Sequence, residues 1–367
     1  MDRWTRTAAW SAGLAALLAV VSVVAIAHGS VAIDPLTVAK ALCNALVVPV
    51  GVSVEAAAVR LPSAGQVPWL AVRVEFLAPF SFPVARSDQV IVTRLRAPRV
   101  ALAAVVGFAL ATAGTVMQGF FRNPMADPSI IGVSAGAAAG AVASIVFPGV
   151  VPMGLQGTAF LGALVVAFGV YLIATERGRT PVATLLLAGV AVQTFLGALV
   201  SYMLLLAGDS LERALYWLMG HLSAASWGDV AATLPPALVG FAVLAAYARD
   251  LNVLLLGEEE ARALGVDAER TKRILLAVSS LVTAGTVAVA GVIGFVGLIV
   301  PHVVRLLVGP DHRILLPTSA LAGAVFLVAT DAVARSGPAE LPVGIVTAAL
   351  GAPFFLYLLR KREVHAL

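Results

Sequence analysis

Long apolar stretches separated by short polar ones set the rhythm of this chain. Residues 8–27 carry no charge and follow Arg3 and Arg6, and comparable runs occupy residues 98–120, 129–147, 157–174, 182–206, 230–248, 274–290, 295–307, 314–330 and 341–359. Apolar runs of this kind predict ten membrane-spanning helices, in an environment where every backbone N–H and C=O must be satisfied internally. The run 295–307 is short against the roughly 20 residues a span needs, and Gly291, Gly294, Gly297 and Pro301 in and around it predict a broken or tilted helix. Residues 29–95 turn polar and Pro-rich, which predicts a segment outside the membrane with partial structure, including a short helix over 35–46. Ala25-Ile-Ala27 resembles a signal cleavage site, but an apolar core of this length fits a first membrane helix.

One polar stretch stands out, residues 256–273 (LGEEEARALGVDAERTKR). Gly257 and Gly265 punctuate it, Ala261 and Leu264 stand three apart on one helix face, and Asp267 is placed to cap a second short helix. Acidic residues lead and basic ones follow, as a helix dipole favours. A solvated connector and a docking surface both fit this pattern.

Composition narrows the class. The chain is 60% hydrophobic and 12% charged, with mean hydropathy +0.98. Few aromatics and no evident alternating strands exclude a barrel, leaving an all-α polytopic membrane helical bundle, residues 1–367 forming a single transmembrane domain. The single Cys43 excludes a disulfide framework and a cysteine metal cage. The net charge of +4 calls for no nucleic-acid partner. With the N-terminus inside, most of the 24 Lys and Arg lie on the cytoplasmic side, and the charged stretch lies there too.

Chemistry is conspicuous by what it lacks. The 20 Asp and Glu fall in loops or at span ends, Asp331 coming nearest to an exception, so no midplane carboxylate offers an ion relay. No phosphate-binding loop is present either, so the chain does not itself hydrolyse ATP. These absences disfavour an ion-coupled secondary transporter and point to a membrane subunit driven by a separate ATPase. Residues 132–136 (GVSAG) match a nucleophile-elbow pattern, but an apolar helix with no base near Ser134 argues against a serine hydrolase; Gly132, Gly136 and Gly140 instead form a small-residue seam for helix packing. None of the five histidines pairs at metal-ligand spacing. His221, near Trp217 on the outer side, reads either as an interfacial residue or as a contact for a passing ligand.

From about Arg94 onward the sequence resembles the FecCD/BtuC-like permeases of binding-protein-dependent ABC importers for iron-siderophore, haem and vitamin B12. The resemblance rests on residues 96–99 (RAPR), 118–128 (QGFFRNPMADP) with 132–136, 185–190 (LLLAGV), 216–220 (YWLMG), the charged stretch, 293–302 (IGFVGLIVPH), 339–348 (AELPVGIVTA) and 350–353 (LGAP). It implies a type II ABC importer permease fold in the cell inner (cytoplasmic) membrane. It also implies a homodimer, two cytoplasmic ATPase subunits that bind ATP and Mg, a periplasmic binding protein, and no cofactor in this chain. Residues 250–273 would form the coupling loop, with Glu258, Glu259, Ala261, Arg262, Leu264, Gly265, Val266 and Asp267 meeting the ATPase. Asn123 and Met125, with Val182 and Ala183, would form cytoplasmic constrictions. Arg96, Arg99 and Arg335 would meet acidic residues of the binding protein through their bidentate forks, interfacial snorkelling being the other reading of Arg96 and Arg99. The apolar Val182-Ala183 pair leans the expected cargo toward haem over siderophore or vitamin B12.

Overall fold

The structure, a computed structural model, describes residues 3–29, 31–61, 65–149, 153–176, 178–337 and 339–361. The chain divides into two compact units, residues 26–97 and the remainder.

The larger unit is helical. Its elements are α1 (Arg3–Ala27), which runs across the unit boundary, then, after α2 and α3 of the smaller unit, α4 (Ala97–Phe120), α5 (Val133–Val146), α6 (Gly154–Ala174), α7 (Val182–Leu205), α8 (Leu211–Leu218), α9 (Trp227–Ala246) and α10 (Ala248–Leu254). There follow α11 (Glu258–Ala263), α12 (Ala268–Ala290), α13 (Val296–Val308), α14 (His312–Ala334) and α15 (Val343–Lys361). Among the described residues seven helices are long and apolar enough to cross a membrane, and α5, α13 and α15 are shorter apolar helices. Each apolar run thus forms a helix, as its pattern requires. The short run is unbroken: α13 is continuous through Pro301, bounded by Phe295 at φ 68° and Gly309 at φ 89°.

Helices α4, α12 and α14 are mostly enclosed, whereas α1, α6, α7 and α9 present most of their residues outward. Small residues let the helices approach. A methyl group on Gly136 would overlap the carbonyl of Gly162, and one on Gly140 the carbonyl of Thr158, so the glycine seam of α5 packs directly on α6. Hydroxyls in the enclosed helices are satisfied locally: Thr112, Thr115, Ser280 and Thr283 each donate to the carbonyl four residues earlier, at 2.6–2.8 Å. Gln118 of α4 donates to the Leu298 carbonyl of α13 at 2.8 Å.

Helix α1 is held within this unit by arginines near its two ends. Arg6 donates to the Val308 carbonyl at 3.1 Å, and Arg335 donates to the Ala25 carbonyl at 3.0 Å. Between those points an apolar groove of ≈ 450 Å³ opens beside Trp10 and Leu14, walled by Val304, Leu307, Phe326 and Phe354.

The smaller unit holds α2 (Pro35–Ala45), β1 (Val48–Leu61), β2 (Gly65–Leu77) and α3 (Arg86–Val90), followed by a π-helical turn over Ile91–Arg96. Asp34 caps α2 by accepting from the backbone of Leu36 and Thr37, and Pro35 suits the first helical position. The strands form an antiparallel hairpin with a register shift at Pro49/Gly51. This hairpin is an addition to the all-α architecture, which the helices otherwise bear out: valines recur at 48, 50, 52 and 54 in the sequence, and the intervening Pro49 and Gly51 conceal the period. Asn44 clamps the chain beyond the hairpin, its amide donating to Phe82 O and accepting from Phe82 N at 2.9 and 2.8 Å.

Candidate functional site

Helix α11 is a short rod between two glycines in backbone conformations that other residues rarely adopt, Gly257 at φ 142° and Gly265 at φ 81°. Val266 N–H donates to Ala261 O at 2.9 Å and turns the chain into α12. Asp267 then accepts from the Arg270 N–H at 3.1 Å and caps α12 itself. The expected second short helix is therefore absent among the described residues; those positions are the first turn of α12, which begins six residues ahead of its apolar run because the cap sets the helix start. Ala261 is fully buried and Val266 half-buried, so the exposed face of the stretch differs from the one expected. It consists of Leu264, 62% exposed, with Glu259, Glu260, Arg262, Gly265 and Asp267 around it.

Behind that face lies a charge cluster. Lys272, only 6% exposed, places its ammonium 2.9 Å from Glu258 and 2.9 Å from Glu269, and donates to the Thr180 carbonyl at 3.3 Å. Arg262 approaches Glu258 at 3.6 Å. The hydrogen bond from Lys272 holds the Glu258 carboxyl below the usual glutamate range. A cavity of ≈ 280 Å³ opens beside the cluster, lined by Phe120, Phe121, Arg122, Val182, Leu254, Glu258 and Lys272.

The two expected constrictions border this region. Asn123 accepts the Met125 N–H at 2.9 Å through its side chain and the Ala126 N–H at 3.0 Å through its carbonyl, an Asx turn that shapes the loop after α4. Asp127 closes the loop by capping a 3-10 turn over Pro128–Ile131. Burial pushes the Asp127 carboxyl up. Val182 and Ala183 open α7, Val182 lining the cavity and Ala183 lying exposed. The structure thus brings Val182 together with Glu258, while Asn123 is exposed and Met125 half-buried, following cavity residues Phe121 and Arg122 in the chain.

Arg99 and Arg335 lie at the opposite end of the larger unit's helices, and Arg96 belongs to the smaller unit. Each is 8% exposed and engaged within the chain. Arg99 binds Asp331 at 3.0 Å and Glu340 at 2.8 Å, and Arg335 binds the same Asp331 at 3.1 Å. Within the smaller unit Arg96 donates to the carbonyls of Ile26, Ala27 and Val31 at 2.8, 3.2 and 2.6 Å, supplying donors to a helix C-terminus that lacks them. Their forks are occupied within the chain, so here they brace the fold. Asp331, the acid that came nearest to lying inside a span, is fully buried within α14 and serves Arg99 and Arg335 as counter-ion.

His221 lines a second cavity of ≈ 280 Å³ at this end, with Gln156, Arg213, Tyr216, Trp217 and Asp229 among its walls. Its ring lies 5.0 Å from that of Tyr216, and its backbone N–H donates to Ala290 O at 2.8 Å. Burial, aided by the charge of Arg99, lowers its pKa, so the imidazole is neutral at neutral pH. Ser134 lies in α5 behind a 3-10 turn and Gly132 at φ 86°, without the strand that a nucleophile elbow needs.

Lys272, Thr180 and Glu340 were not singled out by sequence reasoning. Only Lys272 carried a signal, its three-residue spacing from Glu269 in the charged stretch.

The family model described as the FecCD transport family matches residues 17–361. The cobalamin import system permease protein BtuC of Halobacterium salinarum is 58% identical over 363 residues, covering 99% of this chain and 98% of that protein. The hemin transport system permease protein HmuU of Yersinia pestis is 44% identical over 282 residues, covering 73% of this chain and 83% of that protein. A solved structure described as an inward-facing conformation of a metal-chelate type ABC transporter superposes with a TM-score of 0.76 at 30% identity, over 96% of this chain and 98% of the other. With ten apolar helices in the expected order and matches along nearly its whole length, the chain belongs to the FecCD transport family and is the permease of a type II ABC importer.

Proposed function

We propose that the cargo is cobalamin, carried across the cytoplasmic membrane by a homodimer of this chain with two ATPase subunits and a binding protein. The observation that carries the cargo is the 58% identity with a cobalamin permease along 99% of the chain, against 44% along 73% for the haem permease. The lean toward haem rested on the apolar Val182-Ala183 pair alone, and it gives way to this fuller correspondence. In this reading the end carrying α11 faces the cytoplasm. Leu264 and the charges around it form the face that the ATPase grips, and closure of the ATPase dimer moves α11. The loop at Asn123 and Met125 and the start of α7 at Val182 and Ala183 then open or shut the path. No covalent chemistry occurs in this chain.

The test is uptake into proteoliposomes holding the permease with its ATPase and binding protein, using cobalamin, haem and a ferric siderophore in parallel. ATP-dependent cobalamin uptake that survives a protonophore is expected. Uptake of haem or siderophore without cobalamin would overturn the cargo, and uptake that collapses with the protonophore but needs no ATP would overturn the class.

A further inference from the structure

We infer that Lys272 is the positioning residue that links movement of α11 to the start of α7. This rests on the reading of α11 as the element the ATPase grips. Three chain segments converge on the one ammonium: Glu258 at the first turn of α11, Glu269 in the first turn of α12, and the Thr180 carbonyl two residues ahead of Val182. Burying an ammonium is unfavourable unless it is paired and hydrogen-bonded, and an apolar side chain would fill the same space without that cost. Lys272 meets that condition through partners on three separate segments, which ties those segments together.

Both sides of the link are suited to carry displacement. Helix α11 is a short element joined to its neighbours through the conformationally permissive Gly257 and Gly265. Thr180 is 3% exposed, its hydroxyl meets that of Thr175 at 3.0 Å, and the neighbouring Glu176 and Arg179 exchange backbone hydrogen bonds at 2.9 and 3.0 Å. Pro181, with its fixed φ, joins that turn to Val182. A shift of Glu258 therefore draws on Lys272, and Lys272 draws on Thr180 and Pro181, which lead into the residue that shares its cavity.

The experiment uses the complete importer in proteoliposomes and reads ATP hydrolysis and cargo uptake together. Lys272→Met is expected to keep the ATPase bound and hydrolysing while uptake per ATP falls at least about fivefold, the lower range for coupling between sites. Lys272→Arg, which retains the charge and the donors, should restore most of it. Unchanged uptake per ATP in Lys272→Met overturns the inference. Should Lys272→Met fail to assemble, Lys272→Gln takes its place with the same expectation, and unchanged coupling there is equally decisive. The docking reading fails separately, if Leu264→Asp retains the ATPase at normal stoichiometry.

Discussion

Arg99 and Asp331, 232 positions apart in sequence, are joined by two guanidinium nitrogens of Arg99 that reach the carboxylate at 3.0–3.2 Å, with the Asp331 side chain fully enclosed. Arg335, just past the end of α14, meets the same carboxylate, and Glu340 supplies a second acid to Arg99, so two carboxylates balance two buried cations. Removing one partner of such a cluster leaves charge uncompensated. Asp331→Asn is expected to destabilise the protein by about 3–5 kcal/mol, read as a lowered unfolding midpoint in detergent. The same logic predicts that Arg99→Glu lowers the yield of folded protein, and does not selectively abolish stimulation by the binding protein.

Leu264 and Ala261 separate docking from folding. Leu264→Asp lies on the exposed face and should release the ATPase during detergent purification while leaving the unfolding midpoint within about 0.5 kcal/mol, as surface changes generally do. Ala261→Asp places a charge at a fully buried position. It should lower stability before any effect on docking is measurable.

Gly136 tests the packing of α5 on α6. A side chain there meets the Gly162 backbone and Val166, neither of which is a flexible tip. Gly136→Leu is expected to cost about 1–3 kcal/mol or more, as overpacking does, and a thermal melt of the purified permease would show it. Gly169, with open space around its α-carbon, serves as the control, and Gly169→Ala should be neutral or stabilising.

His221 predicts a pH dependence. Its pKa is lowered in the folded protein, so the unfolded chain binds the proton more readily and stability rises with pH. The contribution is complete above the unfolded histidine value of about 6.5 and is lost as pH falls toward the lower folded value. Unfolding midpoints measured from pH 7.5 downward should decline, and His221→Phe should flatten that decline.

The ten apolar helices and the seam of α5 were legible because each depends on local pattern: run length in one case, four-residue spacing in the other. The ends of helices were less so, since α12 starts at the Asp267 cap inside a charged stretch and not where its apolar run begins. The hairpin from β1 to β2 escaped because Pro and Gly interrupt its valine alternation. The internal partners of the arginines were hidden for a different reason. Spacing along the chain shows that Arg99 lies at a helix mouth, but not that Asp331 and Glu340 arrive beside it from the far end of the sequence. Thr180 was invisible because it takes part through its backbone carbonyl, a group every residue carries.

Helix α1 is fastened at Arg6–Val308 and Ala25–Arg335 and lies beside an open groove between them. A span held this way behaves like a beam on two supports: its ends must keep their register, whereas its middle need only be apolar and long enough. The identity of residues from Leu14 to Val20 is then free to drift, and a fluorescent or photoreactive group placed there would report on the surrounding lipid without disturbing the transport core.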